Sequence, residues 1–190
     1  MAAKLVLASS SPRRQELLSL VHIPFTIRKP SVEESSISTT NPVDKVRELA
    51  TLKGRNLAFS DENEVILSAD TVVSYKHKIF EKPKSKDNAY QILSTLSGEI
   101  HQVYSGVYIR STKKEITFVE CTEVEFWPLD KDLITWYIST SDPYDKAGAY
   151  GIQSIGAMFV KKIVGDYYNV VGLPISRVVR ELKEFSVTPL

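Results

Sequence analysis

The chain has 190 residues, 43% of them hydrophobic, enough for one good core and close to the usual size of a single domain. Its 24 Lys and Arg against 23 Asp and Glu leave a formal charge of +1, so there is no global field to draw in DNA or an anionic membrane and any polyanion site must be local. The lone cysteine, Cys121, excludes an intramolecular disulfide and points to a reducing cytoplasm, and no stretch approaches the roughly 18 apolar residues of a membrane span.

The N-terminal Met1-Ala2-Ala3-Lys4 leads into an apolar run too short for a signal peptide. Leu5, Val6 and Leu7 predict a buried strand, and a short serine loop follows. Pro12 then opens a helical spacing of Leu17, Leu18 and Val21, with Ser11 placed as N-cap and Pro12 at the first helical position. Arg13 and Arg14 fall in the first turn, where cations cost about 0.3 to 1 kcal/mol against the helix dipole. A bound anion would reverse that sign. Serine hydroxyls, free backbone N–H groups and two guanidinium forks make either a phosphate cradle or an ordinary capped helix with two solvated arginines.

Ile23 to Ile27 predicts a short strand, and Pro24, which cannot donate to a ladder, argues for an edge strand or a strand start. A serine-rich loop carries the adjacent carboxylates Glu33 and Glu34, and adjacent loop carboxylates are most often simply solvated. Asn41-Pro42 starts a second helix in which Lys53 sits among other surface charges. The run Val65 to Val73 shows almost no alternation, as a central strand covered on both faces requires. Asp70 stands inside it. A carboxylate there needs a cation, a metal or hydrogen-bond donors, and is either half of a structural ion pair or a catalytic group at a strand end.

Ile79 to Pro83 is a short extended segment, Ser85 caps a helix that Gly98 ends, and Val103 to Ile109 and Ile116 to Trp127 form an antiparallel pair. Asp130 caps a further helix. Residues 142–153 combine turn chemistry with small residues and resemble a binding loop. Ala157 to Val164 and Tyr167 to Val171 are expected to be paired strands around a Gly165-Asp166 turn, and Gly172-Leu173-Pro174 starts the last helix. The order implies an α/β fold, a mixed twisted β-sheet with helices on both faces, in one domain spanning 1–190.

Several familiar chemistries are absent: there is no Walker-type loop, no Gly-x-Gly-x-x-Gly and no His or Cys metal cluster. What remains is a set of hard ligands and cations, namely Ser9, Ser11, Arg13, Arg14, Glu33, Glu34, Lys53, Asp70 and Lys82. That set suits a phosphate ester with a divalent metal.

Leu7-Ala8-Ser9-x-Ser11-Pro12-Arg13-Arg14, Ala69-Asp70-Thr71-Val72, Glu81-Lys82-Pro83, Asp145 to Gln153 and Val171-Gly172-Leu173-Pro174, in that order, resemble the Maf family over nearly the whole chain. Arg13 directly after Pro12, together with Thr71 and Gln153, resembles the subgroup acting on dTTP and UTP. The resemblance implies the inosine triphosphatase-like (Maf/Ham1) fold and a house-cleaning pyrophosphatase that releases monophosphate and pyrophosphate. It further implies Asp70 as proton acceptor, Glu33 and Asp70 at a Mg²⁺ or Mn²⁺ ion, and Ser9, Ser11, Arg13, Arg14, Lys53 and Lys82 around the triphosphate. Base selectivity falls to Arg13, Thr71 and Gln153, and Glu34 is the alternative to Glu33. The expected partners are the nucleoside triphosphate and a second copy of the chain in a homodimer, with no stable nucleic-acid partner and no membrane. The reading from another class is a nucleotide-sensing regulator linked to cell division and septum formation.

Overall fold

In the computed structural model, which describes residues 3–189, the long apolar run is the central strand β3, Glu64–Tyr75. Met1 and Ala2, the start of the segment read as too short for a leader, lie outside the described residues. The chain order is β1 (Lys4–Leu7), α1 (Pro12–Leu20), β2 (Phe25–Ile27), α2 (Pro42–Asn56), β3, β4 (Lys78–Phe80) and α3 (Lys86–Leu96). It continues with β5 (Ile100–Arg110), β6 (Glu115–Phe126), α4 (Lys131–Tyr137), β7 (Val160–Val164), α5 (Tyr167–Val171) and α6 (Ile175–Lys183). The strands form one seven-stranded sheet in the order β2-β1-β3-β5-β6-β7, with β4 also on β3. β1 pairs in parallel with β2 and β3, and the remaining pairings are antiparallel, so the sheet is mixed as expected.

Side-chain alternation explains why helices cover both faces. Leu5, Leu7, Val65 and Leu67 point to the face that buries Leu17 and Leu18 of α1 and Val178 and Leu182 of α6. Further along that face, Val73 and Tyr75 pack with Ile92 and Leu93 of α3 and Ile134 and Tyr137 of α4. The opposite face carries Val6 and Ile66 and is covered by α2, whose Val46, Leu49 and Ala50 are buried. α2 lies against the sheet with almost no gap: a Cβ on Gly106 of β5 would stand 2.2 Å from the Val46 carbonyl oxygen.

Caps follow the sequence closely. Asn41 Oδ1 accepts from the Val43 and Asp44 amides, Ser85 Oγ from Asn88 and Asp130 Oδ1 from Leu133. Two segments differ from expectation. Residues Ile155–Phe159 form a 3₁₀ turn, so the strand there begins only at Val160. Tyr167–Val171 is a short helix rather than a strand, because Asp166 Oδ1 caps the Tyr168 amide and Gly172, at φ 127°, ends it with bonds back to Tyr168 and Asn169. Among the described residues, no helix is long and apolar enough to cross a membrane.

The buried His101 sets a pH limit on this core. It is fully buried, its Nε2 and the Tyr150 hydroxyl lie 2.8 Å apart, and it packs edge-on to Phe126 and Tyr150. Burial lowers its pKa from 6.5 to about 3. The unfolded chain therefore binds this proton below pH 6.5 while the folded chain does not until about pH 3. Stability should fall by up to about 1.4 kcal/mol per pH unit across that window from this group alone. Denaturant melts at pH 7, 6 and 5 should show a shallower fall for His101→Gln than for the parent; equal slopes would remove His101 as the cause.

Candidate active site

The site begins with a gap in the sheet. One edge of β3 is paired with β1 as far as Leu67 and with β4 from Val73 onward, which among the described residues leaves 68–72 without a strand on that side. A cleft of about 1330 Å³ opens there. Seven cationic side chains and five carboxylates line it, a local excess of positive charge in a nearly neutral protein.

The strand, loop and helix start at residues 5–14 form one wall. Ser11 occupies the N-cap position in extended backbone, yet its side chain makes no capping bond and the first turn holds no acidic residue. Ser9 Oγ instead accepts from the Ser11 amide at 3.1 Å and from Arg14 Nη1 at 3.3 Å. The Arg13 and Arg14 amides lie in the first turn, where no carbonyl of the helix can reach them, so the helix start remains open to an acceptor from outside.

Arg14 crosses the floor of the cleft. Its Nε donates to the Gly172 carbonyl at 2.9 Å and its Nη2 to Thr71 Oγ1 at 3.3 Å. Among the described residues all its hydrogen-bond partners are neutral, and burial pushes its pKa down, against the pull of Asp70. A guanidinium held in this way, with no carboxylate bonded to it, is set to receive an anion. Thr71 is itself fixed: its Oγ1 and Ser105 Oγ are 2.8 Å apart, and Ser105 donates to the Asn169 carbonyl.

Asp70 is 8% exposed and sits on the β3 face that α2 covers. Lys53 of α2 reaches it at 2.5 Å and also lies 3.0 Å from Glu34 Oε1. Burial raises the Asp70 pKa, opposed by Lys53 and Arg14. Glu34 opens a one-turn 3₁₀ helix, Glu34–Ser36, that aims its carboxylate into the cleft. Glu33, one position earlier, accepts from Ser35 Oγ and is not among the lining residues. The structure thus brings Asp70 and Glu34, rather than Asp70 and Glu33, to one ammonium group.

Ser9, Ser11, Arg13, Arg14, Lys53, Asp70, Thr71, Lys82 and Gln153 all line the cleft. Lys82 follows β4, and its neighbour Glu81 accepts the Gly148 amide through its carbonyl, tying that wall to the 145–153 loop. Sequence reasoning passed over Lys146, whose Nζ donates to the Asp142 carbonyl and to Asp145 Oδ1, both at 2.6 Å. It also missed Lys45, which lies 3.4 Å from Glu81 Oε1. Lys45 is hidden among the surface charges of α2 and Lys146 in a loop legible only by its turn and small residues, and a low side-chain exposure of 12% sets both apart.

Residues 4–185 match the family model described as Maf-like protein. A relative from Bacillus cereus strain G9842, "dTTP/UTP pyrophosphatase", is 49% identical over 97% of this chain and 96% of its own length. One of the same description from Bacillus cytotoxicus is 50% identical over 96% of this chain and 95% of its own. The Staphylococcus aureus Ham1 protein is a more distant structural match, with a TM-score of 0.47 at 15% identity over 65% of this chain and 71% of that one. With two relatives at this level across nearly all of its length and a family model spanning its whole sheet, the chain belongs to the Maf family.

Proposed function

We propose that the chain is a single cytoplasmic domain that hydrolyses dTTP and UTP to the monophosphate and pyrophosphate. The observation that carries this reading is Asp70, a buried carboxylate on the uncovered edge of β3, in one cleft with the open helix start and the Arg14 guanidinium. A protein that only sensed a polyphosphate would gain nothing from a negative charge in that position. The names borne by the relatives supply the nucleotides.

In the proposed reaction a water attacks the α-phosphorus, its proton passes to Asp70, and the bond to the bridging oxygen breaks so that pyrophosphate leaves. Arg14, Ser9, Ser11 and the first-turn amides of α1 hold the phosphate chain, with Lys53 and Lys82 neutralising further oxygens. Arg13, Thr71 and Gln153 face the base. The placing of these groups in one cleft supports their assignment. A homodimer remains part of this reading, with light scattering as its check.

The donors around Asp70 also suit a hard divalent cation. Asp70 and Glu34 converge on a single cationic centre, the Lys53 ammonium, and carboxylate oxygens are what Mg²⁺ and Mn²⁺ prefer. Asp70 with Glu33 or Glu34 would hold the ion, which when bound supplies charge neutralisation at the phosphates and a more acidic water. Pyrophosphate release should appear with dTTP and UTP when Mg²⁺ or Mn²⁺ is present and disappear with a chelator. Release from purine triphosphates alone, or full rates in chelator, would sink the reading.

A further inference from the structure

Arg13 and Asp145 are 132 positions apart in the chain, yet Arg13 Nη1 donates to Asp145 Oδ2 at 2.8 Å and Nη2 to the Asp145 carbonyl at 3.3 Å. Bonds from two nitrogens to one residue fix the plane of a guanidinium as well as its position. Asp145 is held in its turn. Lys146 Nζ donates to Asp145 Oδ1 and to the Asp142 carbonyl, and the Asp142 carboxylate accepts from Tyr137 Oη at 2.6 Å and Ser154 Oγ at 2.8 Å. Tyr137 is fully buried, so this line of bonds runs from the core to the cleft wall.

The side chains of the pair are 26% and 58% exposed, and an ion pair so exposed adds little stability. A carboxylate is also unfavourable beside a polyanion. What the contact does supply is direction. Two of the five guanidinium N–H groups are spent on Asp145, and the others are left for a ligand in the cleft that Arg13 lines.

We propose that Asp145 is a specificity-determining positioning residue, which holds Arg13 in the plane where its free N–H groups meet the carbonyl oxygens of a uracil-type or thymine-type base. This rests on the reading that Arg13 and Gln153 face the base. Uracil and thymine present acceptor, donor and acceptor along one edge, whereas cytosine has an amino group in place of one carbonyl. A donor fork fixed in plane opposes that amino group. A fork free to swing adapts to either ring.

The test is steady-state kinetics on UTP and CTP for the parent, Asp145→Ala, Asp145→Asn, Arg13→Ala and the Arg13→Ala/Asp145→Ala double variant. Asp145→Ala should raise KM for UTP and cut the UTP-to-CTP ratio of kcat/KM by about tenfold, the order of one charged hydrogen bond. Asp145→Asn should fall between it and the parent, and the double variant should match Arg13→Ala. General loosening of the loop would slow both nucleotides alike and leave the ratio unchanged. An unchanged ratio in Asp145→Ala, or an effect that adds fully to that of Arg13→Ala, overturns the proposal. An unchanged ratio in Arg13→Ala overturns instead the reading that Arg13 faces the base.

Discussion

Asp70→Asn is expected to lower kcat by at least about a thousandfold while the protein stays folded. The amide cannot take a proton from water and is a far poorer partner for a divalent ion. It also carries none of the burial penalty that raises the Asp70 pKa. Lys53 keeps Glu34 at 3.0 Å as a partner, so the charge it leaves behind is not orphaned. The melting temperature should therefore hold or rise, the pattern of a site in which chemistry is favoured over stability. Pyrophosphate release and a thermal melt on the same sample decide it. Turnover within tenfold of the parent would remove Asp70 from the reaction, and a collapsed melt would make it structural.

A methyl group on the neighbouring strand of the same pair should instead cost stability. Gly106 is directly across from Asp70 in the ladder between β3 and β5, so the two share the face that α2 covers. The Cβ of Gly106→Ala would meet Val46 backbone atoms of α2 at 2.2 Å and 2.4 Å. Backbone cannot rotate aside as a side chain can, so the helix must lift or the strand must bend. The expected destabilisation is about 3 kcal/mol, roughly 6 to 12 °C in melting temperature. Activity should fall as well at temperatures where the variant is folded, because lifting α2 draws Lys53 away from Asp70. An unshifted melt would mean that α2 does not pack as closely as the structure shows.

Much of this was legible in the sequence wherever the signal is local. A strand, three serines, a proline and two arginines announce an anion-ready helix start within ten residues, and a carboxylate inside an unbroken apolar run announces Asp70. Caps at Asn41, Ser85 and Asp130 were equally plain, since capping depends on neighbours a turn away. Which of Glu33 and Glu34 lines the cleft is not legible. It turns on the phase of a one-turn 3₁₀ helix that begins at Glu34, and adjacency alone cannot set that phase. Tyr167 to Val171 misled for a different reason: two tyrosines and two valines favour strand, while Asp166, which caps a helix there, reads as a turn residue and Gly172, which stops it, reads as the start of the next helix. The meeting of Arg13 with Asp145 is a product of topology and carries no sequence signature at all.

The uncovered edge of β3 also bears on how the molecule behaves in a crowded solution. Residues 68–72 offer a length of sheet edge to which any extended peptide could add itself as a strand, the usual beginning of edge-to-edge aggregation. Here the approach is guarded by charge, with Arg14, Lys53 and Asp70 set around the opening. A peptide entering would have to strip water from all of them at once, whereas a small polyanion brings compensating charge with it. The same side chains that admit one kind of guest thus turn away another, and variants that neutralise several of them together trade solubility as well as turnover.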